Sequence, residues 1–357
     1  MLTIRSLVVL GLLWAMADAS PQSRKKGGNG RAKTAQQQAA QIPQGISQAT
    51  DGSMILDTTV NINGLDIRYK ISGPAAGFTA ESGVPGGAAA AGTPGTMGLN
   101  VLLHGDGGQS FFDFPNQAVQ KNLMGVAVLA PNKNLFWGGG SGLQRTDGVA
   151  HAQAVSDLVT KVLPGVAAFN ASDVSFTGVS GGSLLLSGFF VPAHAARFQG
   201  SSGGVLLNCG GLPPQVDVAD TDATAIAKTR IHFQSTQQEL TSLQPAIPQA
   251  IAAYEKLAAG AGVAADQIGA LQTVDNSPNG GHCEFDEKDF VSGVQLMADS
   301  FSAIMQGGNG QVAGKNVLNP VVGNEKLSFK AGNKRSMASA LRSKLTRQGP
   351  YTEIHEL

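Results

Sequence analysis

The feature that most constrains the fold is a glycine-flanked serine between a predicted strand and a predicted helix. Residues 173–177 (DVSFT) are typical of a short buried strand, and Leu184 opens an apolar run typical of a helix. Between them, Gly178, Ser180 and Gly182 form a G-x-S-x-G pattern. Small residues two before and two after the serine permit a tight strand-to-helix turn. The pattern predicts an α/β architecture with Ser180 as a candidate nucleophile.

Predicted strands alternate with predicted helices through most of the chain. The strands cover residues 99–103, 126–130, 173–178, 203–208, 230–235 and 268–274. Apolar residues at helical spacing mark helices around residues 247–254 and 290–304. Residues 58–63 and 65–71 predict an antiparallel hairpin that turns at Asn63-Gly64. We expect a mostly parallel sheet of about eight strands with helices on both faces.

A glycine-rich turn follows the predicted strand at residues 99–103. Residues 104–108 (HGDGG) would expose backbone N–H groups at the end of that strand. Acyl transfer places negative charge on a carbonyl oxygen, and fixed N–H donors stabilise that charge. Candidate donors are the N–H of Asp106 or Gly107 and the N–H of Gly181.

A second glycine-rich loop contains the candidate general base. Residues 280–283 (GGHC) follow the strand predicted at residues 268–274 and precede a predicted helix, which makes His282 the base candidate. We expect structural roles for the remaining histidines, which are His104, His151, His194, His232 and His355. Ser183 is a weaker nucleophile candidate than Ser180, because it would lie in the first helical turn, where its hydroxyl can bond the backbone.

The order of these three motifs resembles the α/β-hydrolase superfamily. The short HGDGG and GGHC turns are most similar to secreted serine esterases of the feruloyl-esterase and polyhydroxyalkanoate-depolymerase type. The resemblance covers residues 55–305. It implies acyl transfer to water, no cofactor, and an ester substrate that includes polysaccharide-linked esters and polyesters as candidate classes.

The acid of a catalytic triad is harder to place. The family pattern implies a glycine and an aspartate after the strand at residues 230–235, and neither is present. Glu239 is the best candidate, while Asp217, Asp220 and Asp275 remain alternatives. The departure motivates a second hypothesis, an inactive hydrolase-fold binding protein, beside a third, a serine peptidase.

The N-terminal residues predict export. Arg5, an apolar run over residues 7–16, and the small residues Ala17 and Ala19 are typical of a signal peptide, here residues 1–19. The run is too short for a membrane anchor. The 25 basic and 25 acidic residues balance, which argues against a nucleic-acid partner. We expect a soluble, secreted, extracellular protein.

Export bears on the two cysteines and on one sequon. Cysteines of secreted chains usually pair, so we expect a Cys209–Cys283 disulfide that ties the His282 loop to the sheet; two separate buried thiols are the alternative. The chain has no C-x-x-C and no metal-ligand spacing, so we expect no metal site. Asn170 begins the sequon N-A-S and is a candidate glycosylation site.

Composition divides the remainder of the chain. Residues 20–50 carry few large apolar side chains and are predicted to be a disordered leader, with a candidate processing site at Lys25-Lys26. Residues 51–305 form the predicted α/β-hydrolase domain. Residues 306–357 are polar and basic and are predicted to be a disordered tail.

Two aromatic clusters follow predicted strands. Residues 111–114 (FFDF) lie just beyond the HGDGG turn, and residues 136–137 (FW) follow the strand predicted at residues 126–130. Ligands bind at the carboxyl ends of strands in such sheets, so these rings either stack on an acyl or sugar group or pack the loops onto the core.

Overall fold

The structure, a computed structural model, describes residues 35–113, 122–140, 142–198, 203–306, 311–312, 315–316, 319–320 and 327–330. These residues all belong to one compact unit, Ala32–Lys334. The predicted signal peptide, the Lys25-Lys26 site and His355 lie outside the described residues. Within the described ranges, no helix is both long and apolar enough to cross a bilayer.

A ten-stranded sheet forms the centre of the molecule, with strand order β1-β2-β3-β5-β4-β6-β7-β8-β9-β12. Its strands are β1 (Gly45–Gln48), β2 (Met54–Ile62), β3 (Leu65–Gly73), β4 (Gly98–Leu103), β5 (Leu123–Val128), β6 (Val174–Val179), β7 (Gly204–Asn208), β8 (Arg230–Gln234), β9 (Gln272–Asp275) and β12 (Asn319–Pro320). A separate two-stranded hairpin pairs β10 (Gln311–Val312) with β11 (Lys315–Asn316).

The six neighbouring strands from β5 to β9 in that order pair in parallel, and the strands outside them pair antiparallel. The predicted mostly parallel sheet is therefore confirmed. Strands β2 to β9 account for the eight that were expected, and β1 and β12 extend the sheet at its two edges. The β2–β3 hairpin turns at Asn63 (φ 52°) and Gly64 (φ 84°), as the Asn-Gly pair predicted.

Eleven α-helices lie in the described part of the chain. They are α1 (Ala35–Ala39), α2 (Gln109–Asp113), α3 (Gly148–Asp157), α4 (Leu163–Val166), α5 (Gly181–Leu185), α6 (Val191–His194), α7 (Asp220–Ile226), α8 (Leu243–Gly260), α9 (Ala265–Leu271), α10 (Phe290–Asp299) and α11 (Phe301–Met305). Turns of π-helix, Leu158–Val162 and Leu186–Phe190, join α3 to α4 and α5 to α6. A proline follows each turn two residues on, and its missing N–H removes one α-helical hydrogen bond there.

Apolar side chains cover both faces of the sheet. Along β4, Val101 packs into one core cluster, whereas Leu102 packs into the other. Helix α8 supplies Ile247 to the first cluster, and α10 supplies Val294 to the second. Because successive strand residues point to opposite faces, the sheet is buried on both sides. The predicted helices on both faces are confirmed.

The disordered leader predicted for residues 20–50 is wrong over its second half. Helix α1 and strand β1 are ordered, and β1 pairs with β2. The guanidinium of Arg68 donates to the carbonyl oxygens of Ala39 (2.9 Å) and Ile42 (3.2 Å) and forms a buried ion pair with Asp57. Backbone carbonyls and one arginine therefore order a segment that has few apolar side chains to bury, which is why composition alone missed it.

Three further predictions need correction. The disordered tail predicted from residue 306 contains β10, β11 and β12, and Lys330 N–H donates to the carbonyl of Gln237 (2.8 Å). The strand predicted at residues 268–274 is helix α9 followed by the short strand β9. A short apolar run fits either element, and here the buried Ile268 faces the core from a helix. Strand β5 begins three residues earlier than predicted.

Candidate active site

Ser180 lies at the sharp turn between β6 and α5. Its backbone has φ 51° and ψ −111°, a conformation that side-chain-bearing residues rarely adopt. A Cβ on Gly178 would lie 2.6 Å from the backbone of Ser183, and one on Gly182 would collide with the carbonyl of Leu103. Both glycines of the G-x-S-x-G pattern are therefore required by space. The turn places the Ser180 hydroxyl at the carboxyl end of β6.

His282 and Glu239 complete a line of three side chains with Ser180. The Nε2 atom of His282 lies 2.9 Å from the Ser180 hydroxyl oxygen, and its Nδ1 is paired with Oε1 of Glu239. The carboxylate of Glu239 is buried, and Oε1 also accepts the N–H of Leu240 at 2.7 Å. A carboxylate at Nδ1 keeps the proton on that nitrogen and leaves Nε2 free to accept the serine proton.

The other acidic candidates lie elsewhere. Asp275 is buried, but its carboxylate accepts from the side chain of Gln234 (2.9 Å) and from the N–H of Ser277 (2.8 Å). Asp217 and Asp220 are exposed, the first in the loop after β7 and the second at the start of α7. Among the predicted acids, the structure brings Glu239 to His282.

The loops that carry Glu239 and His282 are joined along their backbones. The N–H of Gln237 donates to the carbonyl of Pro278 (2.8 Å), and that of Gln238 donates to Gly280 (3.2 Å). The hydroxyl of Thr236 adds a bond to the carbonyl of Gly281 (2.9 Å). These bonds set the distance between the carboxylate and the imidazole.

Cys209 and Cys283 form a disulfide, as predicted. Cys209 follows β7 and Cys283 follows His282, so the bond ties the histidine loop to the end of the sheet. In the described part of the chain, Cys209, His282 and Cys283 bring three potential metal ligands within 4.8 Å of one another. The two sulfur atoms are bonded to each other, so this cluster offers no thiolate to a metal.

The HGDGG turn lies against the start of α5. The N–H of Gly107 donates to the carbonyl of Leu135 (3.0 Å), and that of Gly108 donates to Gly105 (3.0 Å). The N–H groups of Asp106 and Gly181 make no hydrogen bond to the described residues. The backbone nitrogen of Asp106 lies 3.3 Å from the position that a Cβ on Gly181 would take, so the two donors are neighbours. Of the predicted donors, Asp106 and Gly181 remain available and Gly107 is used.

The remaining described histidines are structural, as expected. His104 Nε2 accepts the N–H of Ala130 (2.9 Å), and its other nitrogen bonds the carbonyl of Gly105 (2.6 Å), so the ring holds the HGDGG turn. Burial lowers the pKa of His104 to about 4 and that of His232 to about 4. Burial also lowers the pKa of His151 and of His194.

Two of the aromatic residues near the strand ends pack into the core. Phe111 and Trp137 are fully buried; the Lys70 ammonium lies 4.4 Å from the Phe111 ring centroid, and Trp137 lies edge-on to His151. Packing, the second of the two interpretations, therefore holds for these two rings; Phe114 lies outside the described residues. Phe290 lies at the site instead, with its ring 6.4 Å from the ring of His282. Helical spacing predicted that Phe290 lies on a core-facing helix. Nothing in the sequence indicated that its ring would also lie beside the ring of His282.

Arg145 is a buried residue at the site that the sequence did not indicate. It forms a bidentate ion pair with Asp106, with both nitrogen–oxygen distances at 2.9 Å. The two residues are 39 positions apart and Arg145 belongs to no motif, so only the folded chain reveals the pair.

Comparisons with known proteins return structural neighbours only. No protein-family model matches the chain, and no curated protein sequence matches it. A thermostable esterase is 15% identical over 70% of this chain with a TM-score of 0.45, and the chain spans 61% of that protein's length. A fungal esterase from Rhizomucor miehei is 12% identical over 75% of this chain and 88% of its own, with a TM-score of 0.42. A ferulic acid esterase is 12% identical over 71% and 98%, with a TM-score of 0.40.

The chain's own topology identifies its fold. Strands β2 to β9 form the mostly parallel sheet, a glycine-flanked serine turns sharply from β6 into α5, and the histidine loop follows β9. The order serine, then acid, then histidine is that of the α/β hydrolases. The protein has an α/β-hydrolase fold.

Proposed function

We propose that this protein is a serine hydrolase that cleaves carboxylic esters through an acyl-enzyme on Ser180. The observation that carries the proposal is the unbroken hydrogen-bonded line from the Ser180 hydroxyl through His282 to the buried Glu239. Such a line activates a serine for attack on an acyl carbon.

The geometry supports a two-step reaction. His282 Nε2 takes the proton as the Ser180 oxygen attacks the ester carbon, and it returns that proton to the departing alcohol. The N–H groups of Asp106 and Gly181 would stabilise the oxyanion. Water, deprotonated by the same histidine, then attacks the acyl carbon. The bond from that carbon to the Ser180 oxygen breaks, His282 returns the proton to the Ser180 oxygen, and the carboxylic acid is released. Glu239 holds the imidazole in the required tautomer and stabilises its charged form.

A fluorophosphonate probe tests the nucleophile without a known substrate. We expect the wild-type protein to be labelled, and Ser180→Ala and His282→Ala to lose labelling while thermal unfolding shows that they fold. Ser183→Ala is the matched control, because the Ser183 hydroxyl is buried and donates to the carbonyl of Asn208 (2.8 Å). Labelling that persists in Ser180→Ala would reject the proposal.

Two other hypotheses are separated by the same preparation. The hypothesis of an inactive binding protein rested on the missing aspartate, and the contact between Glu239 and His282 removes that reason. A folded wild-type protein that the probe does not label would support the inactive binding protein instead. A peptidase would cleave peptide or anilide substrates at rates comparable with matched esters. We expect turnover on an ester panel that includes feruloylated saccharides and a short polyester, and little on the matched amides.

We propose that the protein is secreted. The Cys209–Cys283 disulfide supports an oxidising compartment, and residues 1–19 have the pattern of a signal peptide. N-terminal sequencing of the exported form should give Ser20; a start after Lys26 would indicate processing, and Met1 would reject the signal peptide.

Asn170 lies in the turn before β6, away from the triad, so a glycan there would leave the site open. Glycosidase treatment should shift the mass of a eukaryote-expressed wild type but not of Asn170→Gln.

A further inference from the structure

The ion pair between Arg145 and Asp106 lies next to the proposed oxyanion donors, which are the N–H groups of Asp106 and Gly181. Both side chains are buried, with exposures of 0% for Arg145 and 4% for Asp106. One guanidinium nitrogen, Nη1, also donates to the carbonyl of Trp137 at 2.9 Å. Because the Arg145 side chain has no exposed surface, it cannot contact a substrate. Any effect that it has on the reaction passes through its contacts, of which the ion pair with Asp106 reaches the proposed oxyanion donors.

The Asp106 carboxylate lies beside the second proposed donor. Its Oδ1 atom occupies the space that a Cβ on Gly181 would need. A negative charge at this position repels the negatively charged substrate oxygen that the Asp106 and Gly181 N–H groups would bind. An unpaired aspartate here would therefore weaken the oxyanion hole that its own backbone helps to form.

The loop after β5 packs closely around Arg145 and holds it beside Asp106. Gly138 has φ 74°, and a Cβ there would lie 2.7 Å from the Cβ of Arg145. The N–H of Gly138 donates to Nδ1 of the buried His151 at 2.9 Å. The loop after β5 is thus packed closely against the arginine.

We propose that Arg145 is a positioning residue for the oxyanion hole. Its two-point contact holds the Asp106 side chain, and hence the Asp106 N–H, in place, and its charge cancels the carboxylate beside Gly181. This inference rests on the proposed function, since it concerns the same reaction.

The two roles of the pair can be separated by removing each partner alone. Arg145→Met and Asp106→Asn break the same ion pair, and Arg145→Met also removes the hydrogen bond to the Trp137 carbonyl, so a merely structural pair predicts losses of kcat that follow the losses of thermal stability. Charge cancellation predicts unequal losses. Arg145→Met leaves a bare carboxylate at the oxyanion hole, whereas Asp106→Asn leaves a cation there. We expect kcat to fall roughly 10- to 100-fold in Arg145→Met and clearly less in Asp106→Asn, with KM changed little in either.

The double variant and a conservative variant complete the test. Arg145→Met combined with Asp106→Asn should regain several-fold in kcat over Arg145→Met alone, because the carboxylate is gone. Arg145→Lys keeps the charge but not the two-point contact, and its kcat should lie between those of wild type and Arg145→Met. Arg197→Met is the control, since Arg197 is an exposed arginine whose nearest carboxylate is 4.0 Å away, and it should retain wild-type kcat.

Each variant is assayed for kcat and KM on a p-nitrophenyl ester, for the rate of fluorophosphonate labelling, and for thermal unfolding. Equal losses in the two single variants, or no recovery in the double variant, would overturn the inference. If Arg145→Met does not fold, the double variant is compared with Asp106→Asn alone. Because Arg145 acts on the Asp106 carboxylate, removing Arg145 in the absence of that carboxylate should change kcat little, and a further loss of roughly tenfold would overturn the inference. Ser180-dependent labelling of the wild type is established first, so failure of the proposed function is seen separately.

Discussion

Gly182 occupies the second position of α5, where the helix start passes the end of β4. A methyl group there would meet the carbonyl oxygen of Leu103, which is backbone and is held in the sheet. We expect Gly182→Ala to lower the free energy of unfolding by about 2–4 kcal/mol, because the backbone must move to make room. Urea unfolding measures the loss.

Gly165→Ala is the matched control for Gly182. Gly165 also lies in a helix, and no atom lies within 4 Å of the position of an added Cβ. Alanine is favoured over glycine in helices by about 0.5–1 kcal/mol, so this variant should be neutral or slightly more stable. Equal losses in the two variants would show that the space around Gly182 is not what constrains it.

Glu239 differs from the expected aspartate by one methylene, and its charge is the property that the triad uses. Glu239→Gln keeps the size and removes the charge, so the histidine is no longer held in the productive tautomer. We expect kcat to fall roughly 10²- to 10⁴-fold with thermal stability largely retained. Asp217→Asn is the control, because Asp217 is exposed and lies in another loop; loss of activity there would reassign the acid.

At the scale of elements, the disulfide links the end of β7 to the histidine loop across 74 residues of sequence. Closing a loop of that length in the unfolded chain corresponds to about 4 kcal/mol of stability in the chain-entropy description. We expect the double variant Cys209→Ser, Cys283→Ser to unfold earlier in urea by that order and to lose kcat, because Cys283 adjoins His282. Dithiothreitol should weaken the wild type and leave the variant unchanged; an equal effect on both would point to another cause.

Element boundaries show where sequence patterns suffice. The β2–β3 hairpin, β4, β6 and β7 were predictable because turn residues and runs of apolar residues delimit them. The end of the sheet was not, because residues 265–275 form a helix and then a strand within one apolar stretch. The leader was missed for a different reason. The order of that segment depends on Arg68, which lies on β3 and therefore outside the residues whose composition was considered.

At the scale of the whole molecule, two buried histidines couple stability to pH. The folded chain keeps His104 and His232 neutral, with pKa values of about 4, against 6.5 for a free histidine. Between pH 6.5 and pH 4 the unfolded chain therefore binds protons that the folded chain does not. Stability should fall as the pH falls through this window, by up to about 3 kcal/mol for each histidine.

Urea unfolding between pH 7 and pH 4.5 measures this coupling. His232→Gln should show a shallower loss of stability with falling pH than the wild type, whatever its stability at pH 7. Burial acts to raise the pKa of Asp157, but its hydrogen bonds to Lys161, Asn63 and Gln153 outweigh burial and leave that pKa lowered from 3.8. The stability that Asp157 adds is therefore present at neutral pH and is lost mainly as the pH falls below 3.8. An unchanged slope in His232→Gln would show that other groups dominate.

The sequence by itself determined the alternation of strands and helices, the turn at Ser180, the two glycine-rich loops and the cysteine pair. The first three are encoded in neighbouring residues, because periodicity and steric demands at glycine act over a few positions. The cysteine pair was predicted from the presence of two cysteines in a chain expected to be secreted. Only the tertiary structure decided which carboxylate meets His282, which N–H groups stay free at the HGDGG turn, and that Arg145 pairs with Asp106. The Asp106–Arg145 and Glu239–His282 contacts join residues 39 and 43 positions apart, and packing of the strand-end loops, rather than local pattern, sets their distances.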